Sequence, residues 1–167
     1  AAHAQVTACA PCHGGIAASY RKTGMGRSFG PMRPEVIPEK PYYHQPSDTY
    51  LQNVERGGKY FQRRWQAGPG GAPVNVEEKQ IEFVMGSGNH ARTYLHLTPR
   101  GTLQQLPLGW YAEDGGTWAM NPGYDRPDYP GSTRAISYDC MFCHNAYPRT
   151  PAANREHAAE PKYLAPL

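Results

Sequence analysis

The chain is poor in cysteine, in aliphatic residues and in net charge. Only four of its 167 residues are cysteine, whereas Gly contributes 18 and Pro 17. The mean hydropathy of −0.71 leaves little material for an aliphatic core. No apolar run approaches the roughly 20 residues that a membrane-spanning helix needs. A net charge of only +3, with scattered Lys and Arg, argues against a nucleic-acid-binding surface.

Aromatic residues are what the chain does have. It contains 12 Tyr, 4 Phe and 3 Trp. A chain this rich in Gly and Pro could stay partly disordered, but so many aromatic rings argue for a packed interior. The length predicts one domain over residues 1–167, with an N-terminal arm at 1–8 and a C-terminal tail at 149–167. Large, flat, apolar cofactors would supply the missing core.

All the cysteine lies in two copies of one motif. The pattern C-x-x-C-H occurs as CAPCH at 9–13 and as CMFCH at 140–144. This is the attachment signature of c-type haem, in which two thiolates bond to the porphyrin and the adjacent His ligates the iron. The sequence therefore predicts two covalently bound c-type haems with His13 and His144 as the proximal ligands. The residues that would hold them are Cys9, Cys12, His13, Cys140, Cys143 and His144.

Two other uses of these cysteines fit less well. A zinc site could take all four thiolates, but zinc ribbons usually keep their two C-x-x-C pairs closer together and need no His after each. A redox-active disulfide of the C-x-x-C kind would be expected in a βαβ context, which the sequence lacks. Haem attachment is the use that explains the histidine in both copies.

Each predicted iron needs a second axial ligand, and five histidines lie outside the motifs. His44 follows two tyrosines in PYYHQPSD, which would form an aromatic wall against a haem face. His90 ends a Gly-rich stretch where the backbone can approach an iron closely. These two are the first choices. A Met ligand would raise the reduction potential relative to a second His. The alternates are His96, His3 and Met25.

The order of elements predicts an α+β fold with much irregular structure. Short helices are expected near the motifs, the first within residues 9–22. In the middle of the chain, apolar and polar residues alternate as they do in β-strands, which predicts an antiparallel meander. Turns at Gly57-Gly58 and at Pro99 to Gly101 would close two hairpins.

Six stretches resemble one family. They read TGMGRSF, YYHQPSD, MGSGNHARTYLH, LPLGWYAE, WAMNPGYDRPD and YDCMFCHNAYP. Together they resemble the cytochrome c domain of exported bacterial multihaem proteins, where a further C-x-x-C-H and tetratricopeptide repeats commonly follow. The resemblance covers most of residues 9–148. It implies a fold of the multihaem cytochrome c type, bound haem and export.

The predicted function is electron transfer rather than enzymatic catalysis. Histidines outnumber the open iron positions, which favours saturated irons. Haem is attached to C-x-x-C-H outside the cytoplasmic membrane, so the motifs predict an exported protein, periplasmic or extracellular. The start AAHAQVTACAPCH agrees with a mature N-terminus left by signal cleavage.

The expected partners are other redox proteins or further copies of this chain, with no nucleic acid and no membrane span. Copies could stack head to tail into an extracellular filament, since a heterologous interface that does not close gives an open polymer. A monomeric electron shuttle remains the alternative. Dihaem peroxidase or nitrogen-oxide chemistry and gas sensing are the other functions left open.

Overall fold

The computed structural model describes residues 4–35, 37–129, 131–132 and 134–144. These residues form helices α1 (Ala4–Tyr20) and α2 (Tyr138–His144). No helix in these ranges is long and apolar enough to cross a membrane. The strands are β1 (Phe29–Pro31), β2 (Tyr42–His44), β3 (Thr49–Arg56), β4 (Lys59–Ala67), β5 (Pro73–Ile81), β6 (Phe83–Met85), β7 (Ala91–Leu97), β8 (Leu103–Gln105), β9 (Leu108–Tyr111) and β10 (Thr117–Met120).

The strands build two antiparallel sheets. The larger has six strands in the order β1-β6-β7-β9-β10, with β8 paired to β7 on the side. The smaller has four strands in the order β2-β3-β4-β5. The expected turns at Gly57-Gly58 and at Pro99 to Gly101 are confirmed, because they join β3 to β4 and β7 to β8.

The prediction of an α+β fold of the multihaem cytochrome c type is wrong. The described residues are mostly β-sheet, with α-helices only at 4–20 and 138–144. The strands extend well beyond the expected central meander and divide into two sheets. The reason is pairing between distant segments. Residues 29–31, 42–44 and 117–120 lie outside the two expected hairpins, yet they join the sheets as β1, β2 and β10.

A buried side-chain amide joins the two sheets. Gln62 on β4 donates from Nε2 to the carbonyl oxygen of Leu108 on β9 at 3.0 Å. Its Oε1 accepts a hydrogen bond from the backbone N–H of Leu108 at 2.9 Å. The same Nε2 also donates to Asn53 Oδ1 at 2.8 Å. Because these groups are buried, their hydrogen bonds hold the sheets in one relative position.

Helix α2 packs on the larger sheet at the edge formed by β1. Its Met141 is only 4% exposed and belongs to an apolar cluster. The cluster comprises Phe29, Met85, Leu95, Leu103, Ile136 and Met141. Cys140 packs against this cluster. The second C-x-x-C-H motif therefore lies on a helix that is fixed by core contacts.

Candidate functional site

The second motif occupies the last five residues of α2. Cys140 is half-buried, Cys143 is exposed and His144 is half-buried. Cys140 and Cys143 are three residues apart, so they are neighbours on one side of the helix. Both carry free thiols, and Cys140 Sγ lies 3.5 Å from the hydroxyl of Ser137. The helix thus presents two thiols and an imidazole within about two turns.

A hydroxyl ties the end of α2 to the turn that follows α1. Ser28 Oγ lies 3.2 Å from the carbonyl oxygen of His144 and 2.7 Å from that of Met25. Ser28 is buried, and Met25 belongs to a short 3₁₀ helix at residues 25–27. A buried hydroxyl needs such partners, because leaving it unpaired is costly. The contact therefore positions Met25 close to the second motif.

These elements enclose a cleft of about 300 Å³ with mainly apolar walls, here called the His144 cleft. Met25 and His90 lie on its walls together with two residues of the motif. Met25 is 62% exposed, and His90 is also exposed. The lining residues are Gly24, Met25, Ser28, Gly86, Ser87, His90, Ala91, Cys143 and His144.

The connection from β6 to β7 places His90 at the cleft, and Gly86 shapes it. Gly86 has φ +104°, a backbone conformation that residues with a side chain rarely adopt. A Cβ atom there would lie 2.4 Å from the carbonyl oxygen of Ala91. The backbone N–H of Ala112 donates to the carbonyl oxygen of His90 at 2.7 Å, which fixes the far end of the connection. Glycine is therefore required for this tight approach.

His144 has an unsatisfied nitrogen. Its Nδ1 is buried and has no hydrogen-bond partner among the described residues. Such atoms are uncommon in folded proteins and are costly to leave unpaired. Cys143 and His144 also face a cleft far larger than a metal ion. The free thiols, the unsatisfied imidazole and the apolar walls together fit a bulky apolar group better than an ion.

The first motif has different surroundings. It lies in α1, where Cys12 and His13 are exposed. Pro11 and a non-helical His13 (φ −128°, ψ 41°) interrupt the helix at this point. Cys9 lies in the same helix, which begins at Ala4 within the expected N-terminal arm. Neither Cys12 nor His13 lines the His144 cleft.

His44, the other first choice for a distal ligand, is hydrogen-bonded to two side chains away from the His144 cleft. His44 is 2% exposed, with Nδ1 2.7 Å from Ser47 Oγ and Nε2 3.0 Å from Asp125 Oδ1. A carboxylate only accepts, so Nε2 of His44 carries the proton that it donates. His44 would have to break one of these bonds to ligate a metal. His3 lies outside the described residues.

His96 has a carboxylate partner. Its Nδ1 lies 3.0 Å from the carbonyl oxygen of Gln80 and 3.3 Å from Glu82 Oε2. The hydrogen bond with Glu82 raises the pKa of His96 above its usual value. Of the candidate distal ligands that the structure describes, only His90 and Met25 line the cleft beside the second motif.

The prediction of two covalently bound haems is wrong. Within residues 4–35, 37–129, 131–132 and 134–144, no group of three or more His, Cys, Asp or Glu side chains could hold a metal ion. Two irons with two axial ligands each would also need four such ligands in two pairs. The His144 cleft supplies a single pairing, of His144 with His90 or Met25. Cys12 and His13 of the first motif are exposed and do not line this cleft, so its residues offer them no second ligand.

A second cavity beside this cleft was not anticipated from the sequence. It has a volume of about 370 Å³ and shares Gly86 and Ser87 with the His144 cleft. Four arginines line it: Arg21, Arg27, Arg33 and Arg92. The sequence did indicate positive charge in this region, since the chain has no Asp or Glu before Glu35.

Comparisons with known proteins found no match: no family model, no curated protein and no solved structure is similar to this chain. The resemblance to a cytochrome c domain therefore stays a prediction from the motifs.

Proposed function

We propose that this chain transfers electrons as a cytochrome domain of the c type, and that it does so through one site, the His144 cleft. The observation that carries the proposal is the meeting of the second motif with His90 and Met25 around one apolar cleft. Residues 140–144 have the sequence that haem attachment requires. This proposal departs from the two-haem expectation, because Cys143 and His144 of the second motif line the His144 cleft and Cys12 and His13 of the first do not.

The side chains of the second motif would have separate tasks. Cys140 and Cys143 would anchor the group through their sulfur atoms, and His144 would ligate its iron. Cys140 packs against the core cluster and Ser28 bonds to the carbonyl oxygen of His144, so these anchors are held by the fold. A haem held here would supply one-electron chemistry at neutral pH. The protein sets its orientation and its access to water.

Two other residues that line the cleft, His90 and Met25, could ligate the iron together with His144. His90 is our first choice, because the tight turn at Gly86 and the hydrogen bond from the N–H of Ala112 to the carbonyl oxygen of His90 fix the connection that carries it. Met25 is the alternative and lies on the same wall as Ser28. A His at this position would give a lower reduction potential than a Met. With both axial positions filled, the site would relay electrons and would not bind a substrate.

The proposal includes a location and partners. Attachment to C-x-x-C-H takes place outside the cytoplasmic membrane, so the protein would work in the periplasm or outside the cell. Its partners would be other redox proteins or further copies of itself. The exposed Met25 and the exposed Cys143 place one edge of the cleft at the surface, within reach of a partner.

Mass spectrometry of the protein matured in a haem-attaching host tests the site. Thioether bonds survive denaturation, so the wild-type chain should carry the mass of one haem. The double variant Cys140→Ser, Cys143→Ser should lose that mass. The matched control Cys9→Ser, Cys12→Ser should keep it. A bare wild-type chain would refute the proposal, and so would loss of the added mass only in the control.

A further inference from the structure

The cavity beside the His144 cleft, here called the arginine pocket, has an unusual charge. Its walls come from the turn after α1, from β1 with the loop that follows, and from the β6–β7 connection. Arg92 is paired with Glu35, and its guanidinium lies 5.2 Å from the centre of the Trp110 ring. Glu35 has only 12% of its side chain exposed, so this pair forms a fixed and nearly neutral wall.

The other three arginines of the pocket have no acidic partner within the part of the chain that the structure describes. Arg21, Arg27 and Arg33 are exposed, and none pairs with a carboxylate among the described residues. Nε of Arg27 donates to the carbonyl oxygen of Thr23 at 3.3 Å, which limits its motion. Three cations around one concave surface raise the local concentration of anions.

The backbone around the pocket is held by hydrogen bonds. The N–H of Gly26 donates to Thr23 Oγ1 at 3.0 Å, and the N–H of Met32 donates to the carbonyl oxygen of Glu82 at 2.8 Å. Two prolines, Pro31 and Pro34, restrict the loop that carries Arg33. A pocket that is ordered before binding loses less conformational entropy when a ligand enters.

We propose that the arginine pocket binds a small organic anion with two or more carboxylate or phosphate groups. A volume of about 370 Å³ exceeds that of a simple inorganic ion and falls within the usual size of small-molecule sites, about 300 to 1,000 Å³. Arginine forks pair bidentately with carboxylate and phosphate oxygens. The proposal is independent of electron transfer, since it needs no group in the His144 cleft.

Calorimetric titration of the whole protein with citrate tests it, with acetate as the singly charged comparison. Citrate should bind saturably, and acetate should bind at least about tenfold more weakly, because it can pair with only one arginine. Arg33→Gln should weaken citrate binding about tenfold or more. The control Arg126→Gln removes an arginine outside the pocket, one paired with Asp128 at 3.5 Å. It should change the affinity less than about twofold.

A second variant fills the pocket without changing its charge. Gly30 lies on the pocket wall in β1, and a Cβ added there would meet no atom within 4 Å. Gly30→Val should weaken citrate binding by about tenfold, and circular dichroism should first show that the variant has the wild-type Tm. If Arg33→Gln and Arg126→Gln weaken citrate binding equally, the binding depends only on the net charge of the protein, and the proposal is overturned. Unchanged citrate affinity in Gly30→Val would also overturn it.

Discussion

Replacing Gly86 by Ala should disrupt the wall of the His144 cleft that carries His90. The residue has φ +104°, and a new Cβ would lie 2.4 Å from the carbonyl oxygen of Ala91. The strained backbone costs about 1 to 3 kcal/mol. Displacing the opposing strand to relieve the overlap costs about 1 to 3 kcal/mol more. The free energy of unfolding should therefore fall by about 2 to 6 kcal/mol, which corresponds to a drop in Tm of about 5 to 20 °C.

Thermal unfolding followed by far-ultraviolet circular dichroism measures this change. Gly30→Ala is the matched control, because Gly30 lies in the paired strand β1, has no positive φ and has space for a Cβ. Its free energy of unfolding should change by less than about 1 kcal/mol. Two variants with the same Tm would refute the argument that Gly86 sustains a close backbone approach at the cleft.

Two further predictions concern stability. Gln62→Met leaves both backbone groups of Leu108 unpaired and should cost about 3 to 6 kcal/mol in urea unfolding. Gln66→Met, at a half-buried site on the same strand that bonds only to the Asn75 side chain in the described part of the chain, should cost less than about 1 kcal/mol. Equal costs would contradict the role of Gln62 as the link between the sheets. His96→Gln should destabilise the protein more at about pH 5.5 than at about pH 8.5. The folded-state pKa of His96 is raised by Glu82, so its stabilisation is complete below the unfolded-state pKa and fades as the pH rises through the folded-state pKa. A loss that grows with pH would contradict this sign.

The sequence predicted local features of the fold well and its class poorly. The Gly57-Gly58 turn is a two-residue signal between alternating strands, and the structure has it between β3 and β4. The class depends on how strands from distant parts of the chain pair. The pairing of β1 with β6 joins residues more than 50 positions apart, from Phe29 to Met85. No local pattern in either strand specifies that partner.

The candidate site shows the same division. The C-x-x-C-H pattern made Cys140, Cys143 and His144 candidates, because haem attachment needs fixed spacing, and the structure places Cys143 and His144 on one cleft. The choice between His44 and His90 could not be made from spacing. His44 is hydrogen-bonded to Asp125, which lies 81 residues further along the chain. This contact depends on the tertiary fold, so no local pattern around His44 indicates it. The arginine pocket likewise depends on Arg92 meeting residues from the first part of the chain.

An optical redox titration of the purified, matured protein tests the central claim most directly. One electron-transfer site in the His144 cleft predicts a single reversible one-electron wave in the visible spectrum. The variant Cys140→Ser, Cys143→Ser should lose this wave, and Cys9→Ser, Cys12→Ser should retain it. A colourless protein with no reversible wave would contradict electron transfer at this cleft. A wave that persists when Cys140 and Cys143 are replaced would place the redox centre elsewhere in the chain.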